Sequence, residues 1–111
     1  MAKDTRQKLM EAAFTRFYRD GFGNVGIDQV LADVGISKTA FYKHFESKED
    51  LIVAALEDHH QKMEGEFLRL VRERGGDSPL AQLRALFDAV ENILESELFR
   101  GCVFVNASIE F

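Results

Sequence analysis

Gly35-Ile36-Ser37-Lys38-Thr39-Ala40-Phe41-Tyr42-Lys43-His44-Phe45-Glu46-Ser47-Lys48-Glu49-Asp50-Leu51 is the stretch on which the reading of this chain turns. Gly35 suits a left-handed turn residue. Ser37 suits a helix N-cap. Phe41 and Phe45 lie four residues apart, which puts both rings on one face of a helix. This spacing predicts a short helix from Lys38 to His44 with the two rings inward. Upstream, Ile27, Val30, Leu31 and Val34 repeat at helical spacing, so a helix over about Ile27–Val34 precedes the turn. Two short helices joined by a Gly-containing turn have the plan of a helix-turn-helix, here about residues 26–45. The second helix of such a unit is pinned by its apolar face and offers the other face to a major groove. Lys38, Thr39, Ala40, Lys43 and His44 form the outer and flanking surface, with donors, methyl groups and positive charge suited to bases and phosphates.

The rest of the chain also reads as helical, so the expected class is all-α. Asp4 is a candidate N-cap with Gln7 three residues on, followed by Leu9, Ala13 and Phe17 on one face and Gly21 as the stop. Ser47 with Asp50 forms a capping-box pattern that opens a long fourth helix, Lys48 to about Arg74. Gly75-Gly76 ends it. Asp77-Ser78-Pro79 supplies a cap and a proline at the first helical position of a fifth helix. Leu80, Leu83, Phe87, Val90 and Leu94 form its apolar stripe, and Arg100-Gly101 is expected to break it. The stretch from Cys102 to Phe111 is apolar and fits either helix or strand; it is taken as the start of a sixth helix. Leu98, Phe99, Val103, Phe104, Val105, Ile109 and Phe111 have no later element to cover them. The chain is therefore expected to be a truncated piece, with residues 98–111 disordered or paired with a second chain.

Composition narrows the function classes. The chain has 111 residues, one Cys, one Pro and eight Gly, which excludes an internal disulfide framework and the fibrous and low-complexity classes. No apolar run is long enough for a membrane span and the N-terminus does not resemble a secretory signal, so a cytoplasmic protein is expected. The net charge is −5, but it is unevenly placed. Residues 1–48 carry eight Lys/Arg against six Asp/Glu; residues 49–111 carry six against thirteen. A mildly basic N-terminal part on an acidic body is compatible with a DNA reader. No nucleophile–base motif, Gly-rich phosphate loop or metal-ligand cluster is legible, so neither an enzyme nor a cofactor is expected. His60 and Glu64 are spaced to share a metal, but two ligands are too few and they read as exposed helix residues.

From Thr5 to Leu51, about half the chain, the sequence resembles the TetR family of transcriptional regulators. The matching residues include Thr5-Arg6, Leu9-Met10, Ala12-Ala13, Phe17, Gly21-Phe22, Ile27, Val30 and the whole run from Gly35 to Leu51. The resemblance implies a three-helix DNA-binding head over residues 3–63, linked by the fourth helix. Residues 64–111 would then be an incomplete helical domain for ligand binding and dimerisation. It further implies a repressor that binds a palindromic operator as a homodimer and is released by a small-molecule effector. Tyr42, His44 and Lys48 resemble the family's phosphate contacts, and Thr5 and Arg6 can touch the backbone from the first helix. There are departures. Gly26 stands where the family usually has a capping, phosphate-binding Ser or Thr, and only its backbone amide can serve. Arg16 replaces a usual apolar residue. Asp28 lies near the expected DNA surface, where it suits a helix dipole but repels phosphate. The family usually runs to nearly twice this length.

Each of these residues also has a plainer reading. Lys38, Thr39, Ala40 and Lys43 could be a solvated helix face, Tyr42 a half-buried spacer and Lys48 a first-turn surface charge. Cys102, after Gly101 and Arg100 at an expected helix start, is a candidate thiol sensor or else a small buried hydrophobe. A second function class stays open: a module that acts only through its acidic helices on other proteins. Salt-sensitive binding to duplex DNA separates the two.

Overall fold

The structure, a computed structural model, describes residues 4–110; Lys3, at the start of the expected head, and Phe111 lie outside them. Among the described residues the chain is helical, with α1 Thr5–Asp20, α2 Ile27–Val34, α3 Lys38–Tyr42, α4 Lys48–Gly75, α5 Pro79–Glu95 and α6 Val103–Glu110. None of these helices is long and apolar enough to cross a membrane.

Local chemistry sets most of the helix ends. Asp4 caps α1, its carboxylate accepting from the Gln7 amide at 2.7 Å. The expected return contact from Gln7 is not made; its side-chain amide instead donates to both Asp58 carboxylate oxygens on α4 at 3.3 Å. Ser47 caps α4 by accepting from the Asp50 amide at 3.1 Å, and Asp50 reaches back one residue further than a capping box, to the Glu46 amide. Ser78 accepts from the Ala81 amide, with Pro79 at the first position of α5. α5 ends at Glu95, earlier than the Arg100-Gly101 break expected from sequence, because Ser96 turns to an extended conformation and its amide bonds the Ile93 carbonyl.

Two compact units divide the chain, one of residues 1–59 with 100–111 and one of residues 60–99. Residues 100–111 group with the N-terminal unit.

In the first unit, Leu9, Ala13 and Phe17 of α1 meet Val30 and Leu31 of α2, Phe41, Phe45, and Leu51, Ile52 and Ala55 of α4, all buried. Phe17 stacks on Phe22 with centroids 5.5 Å apart. α6 belongs to the same core. Val103 and Ala107 are buried, Phe104 is half-buried, and Val105 and Ile109 are exposed. Residues 103–110 are thus helical and partly covered, while Leu98, Phe99, Val105 and Ile109 keep the exposure expected of them. Residues 103–110 form an ordered helix because the head supplies the apolar cover that later sequence was expected to supply. Three polar contacts hold it. The Tyr18 hydroxyl donates to the Gly101 carbonyl and accepts from the Arg100 amide, both at 2.7 Å, and the Glu110 carboxylate accepts from the Phe22 amide at 3.0 Å. His59 of α4 stacks on Phe14 of α1 at 4.1 Å, with the Phe104 ring 6.0 Å away on its flank.

In the second unit the buried residues are small. Ala85 and Ala89 are buried, and so is Gly75, where an added Cβ would come within 2.6 Å of the Gln82 Cα. The apolar stripe read on α5 faces outward: Leu80, Leu83, Phe87, Val90 and Leu94 are all exposed. On α4, Arg69 pairs with Glu66 and Glu73, and its hydrogen bond holds the Glu66 carboxyl below its ordinary range.

Candidate nucleic-acid interface

The helix-turn-helix is built around Gly35. Its φ of 81° and ψ of 39° are left-handed, and its amide and that of Ile36 both close on the Leu31 carbonyl. The chain thus leaves α2 and reaches Ser37, whose hydroxyl caps α3 through the Ala40 amide at 3.2 Å. α3 is too short to be stable alone. Tertiary packing holds it: Phe41 is wholly buried, Phe45 nearly so, and the two rings lie 5.8 Å apart against Val30 and Leu31.

α3 is shorter than its periodicity suggests, ending at Tyr42 rather than His44. Lys43 and His44 lie in a tight turn in which the His44 amide bonds the Phe41 carbonyl at 2.9 Å. The reason is the entry to α4. Phe45 must stay buried while the Glu46 amide is taken by Asp50, and both conditions require the chain to leave the helix.

Pinned in this way, α3 and its turn present Lys38, Thr39, Tyr42, Lys43 and His44 to solvent, with Ala40 half-buried among them. Tyr42 is 56% exposed although its ring edge packs on Phe41. The remaining candidates sit at the starts of three other helices. Gly26 is exposed as the N-cap of α2; its amide donates to the Gln29 side chain at 3.0 Å. Thr5 and Arg6 open α1, and the Arg6 guanidinium lies 5.1 Å above the Phe45 ring while donating to the Met10 sulfur. Lys48 opens α4, half-buried, with its ammonium 5.8 Å from the Phe17 ring. Cation–π contacts of this kind fix the Arg6 stem beside Phe45, an anchor of the motif, and the Lys48 stem beside Phe17 of α1. Cys102 is not part of this set. It is exposed, just ahead of α6, which excludes the buried-hydrophobe reading.

The comparisons with known proteins agree with this geometry. Residues 9–55 match the family described as bacterial regulatory proteins, tetR family. The solved structure of a TetR-family transcriptional regulator from Streptomyces coelicolor is 34% identical, with a TM-score of 0.77 over 95% of this chain and 55% of that one. The chain belongs to the TetR family. A TetR regulator structure from Streptomyces avermitilis has a TM-score of 0.80 at 31% identity, covering 97% of this chain and 57% of that chain. An uncharacterised HTH-type transcriptional regulator of Lactococcus lactis is 26% identical over 109 residues, 97% of this chain and 55% of the relative. The chain spans about half the length of these relatives.

Two departures from the usual TetR pattern find structural roles. Arg16 braces α1 against α2. Its guanidinium donates to both oxygens of Asp33, at 2.6 and 2.9 Å, and reaches Asp20 at 3.5 Å. The hydrogen bond to Arg16 pulls the Asp33 carboxyl below its ordinary range, and Arg16 itself is pushed above the usual arginine value chiefly by Asp33. Asp28, on the first turn of α2, pairs with Lys38 at 3.4 Å. Sequence reasoning did not find either partner, nor the Tyr18 and Glu110 contacts to α6. No spacing rule links residues on separate helices, and the only signal was the unusual residue type at positions 16 and 28.

Proposed function

We propose that this chain is the DNA-reading part, with a first portion of the regulatory body, of a ligand-responsive cytoplasmic TetR regulator. It acts as a repressor, binds a palindromic operator as a homodimer, and is released by a small-molecule effector bound in the helical body. The chemistry is recognition; a catalytic set plays no part in it, in keeping with relatives described as regulators rather than enzymes. The observation that carries the reading is the five-residue α3, anchored by buried Phe41 and leaving Lys38, Thr39, Tyr42 and Lys43 exposed.

In this reading Lys38, Thr39, Ala40 and Lys43 meet base edges. Tyr42, His44, Lys48, Thr5 and Arg6 hold phosphates and set the register, and the Gly26 amide joins them when the Gln29 side chain gives up its hydrogen bond. Exposed Cys102 is the group through which the regulator would answer electrophiles.

The test is a titration of duplex DNA at several salt concentrations. Association should weaken linearly on a log–log scale, with a slope of about −0.9 per phosphate neutralised. Lys48→Ala should flatten that slope by about one contact on every sequence, whereas Lys38→Ala and Lys43→Ala should weaken a selected target and alter base preference. Wild-type protein without salt-sensitive duplex binding would overturn the reading and leave the acidic helices as a protein-interaction module.

A further inference from the structure

We propose that Asp28 and Lys38 act together as a specificity pair that favours a G·C base pair at one position in each half of the DNA target. The inference rests on the DNA-binding reading above and goes beyond it by naming a base pair and an acidic residue that reads it.

Asp28 stands in the first turn of α2 and Lys38 opens α3. The Lys38 ammonium and an Asp28 carboxylate oxygen lie 3.4 Å apart, with the side chains 66% and 77% exposed. Both are therefore within reach of a ligand lying across the starts of the two helices, where Gly26 is also exposed. An exposed pair of this kind adds little to folding stability, so stability does not account for it. A carboxylate on a phosphate-facing surface also opposes every duplex equally. Its presence becomes favourable only where the groove offers it a hydrogen-bond donor.

The major groove offers such donors at base edges. Cytosine presents its N4 amino group, and its partner guanine presents two adjacent acceptors, O6 and N7. A lysine ammonium suits adjacent acceptors and a carboxylate suits the amino group beside them. The Lys38–Asp28 pair holds a donor and an acceptor side by side, which matches a G·C edge. An A·T pair fits less well: its amino group separates the two acceptors, and the thymine methyl occupies the far edge. Each residue also limits the other. Without Asp28, Lys38 would turn to the nearest phosphate and add sequence-blind affinity. Without Lys38, Asp28 would be an unscreened repulsion.

The experiment uses the 111-residue chain as wild type, Asp28→Ala, Lys38→Met and the double variant. Each is selected against a pool of randomised duplexes and titrated onto one mixed-sequence duplex over a salt series. Circular dichroism confirms that the folds are equal, as expected for two exposed side chains. Wild type should enrich G·C at one position per half-site by about five-fold or more. Both single variants should lose that preference at the same position, and the double variant should lose no more than either single. Asp28→Ala should also bind the mixed-sequence duplex more tightly, with a steeper salt slope. Wild-type binding with base preferences that Asp28→Ala leaves unchanged at every position would overturn the pair while leaving the DNA-binding reading intact. Absence of salt-sensitive binding by wild type would overturn both.

Discussion

Substituting serine for glycine at two positions of the helix-turn-helix should move stability in opposite directions. Gly26 is the N-cap of α2 with φ −93° and ψ 165°, an extended conformation open to any residue, and a Cβ added there meets nothing within 4 Å. Its lack of a side chain leaves the Gln29 amide to a 3.2 Å contact with the Gly26 carbonyl. A serine hydroxyl would accept from that amide. The gain has two parts. Restricting the unfolded chain contributes about 0.4–1 kcal/mol where the native backbone is compatible, and a serine cap exceeds a glycine cap by a few tenths. Together these give roughly 0.5–1.3 kcal/mol, or about 2–8 °C in Tm for a domain of this size. Gly35 also has open space around a new Cβ, but its φ is +81°. There a side chain costs about 1–2 kcal/mol, more than the entropy gain, so Gly35→Ser should melt lower. Thermal unfolding followed by far-UV circular dichroism reads both. Gly26→Ser melting at or below wild type, or Gly35→Ser melting above it, would refute the argument that φ rather than free space decides these sites.

Three further outcomes are expected. Phe41→Ala removes a wholly buried ring and should cost about 3–5 kcal/mol, a large part of the roughly 5–15 kcal/mol available to a domain, so denaturant unfolding should shift strongly and duplex binding should fall with it. Tyr18→Phe removes both contacts to residues 100 and 101 at about 1 kcal/mol, and hydrogen exchange should speed first in α6; unchanged exchange there would show that apolar packing alone holds it. The Asp33 carboxyl lies below its ordinary range because Arg16 bonds it. Its stabilising contribution is therefore present above the unfolded value, near pH 4, and is lost as pH falls through the lower folded value. Arg16→Met should accordingly lose stability at neutral pH and show a shallower acid-side decline; parallel acid limbs in the two proteins would remove Asp33 from the explanation.

What the sequence determined by itself was local. Asp4, Ser37, Ser47 and Ser78 are caps because a short side-chain oxygen can reach an amide three residues on, and Gly35 is the turn because its φ is left-handed; both effects act within a few residues. The helix-turn-helix and the family it belongs to were legible for the same reason, since Gly35 to Leu51 carries its turn, caps and anchors in one continuous run. The end of α3 was not legible, because periodicity counts Phe45 as one more helical residue, while the competing demand of Asp50 on the Glu46 amide appears only in three dimensions. The same holds for α6. Val103 and Phe104 looked uncovered because their cover is the core of the head, and the hydrogen bonds that tie this segment to it come from Tyr18 and Phe22, more than eighty residues away. Arg16–Asp33 and Lys38–Asp28 likewise join separate helices. Side-chain pairing across elements depends on how helices pack, a property of the whole core that no local spacing encodes.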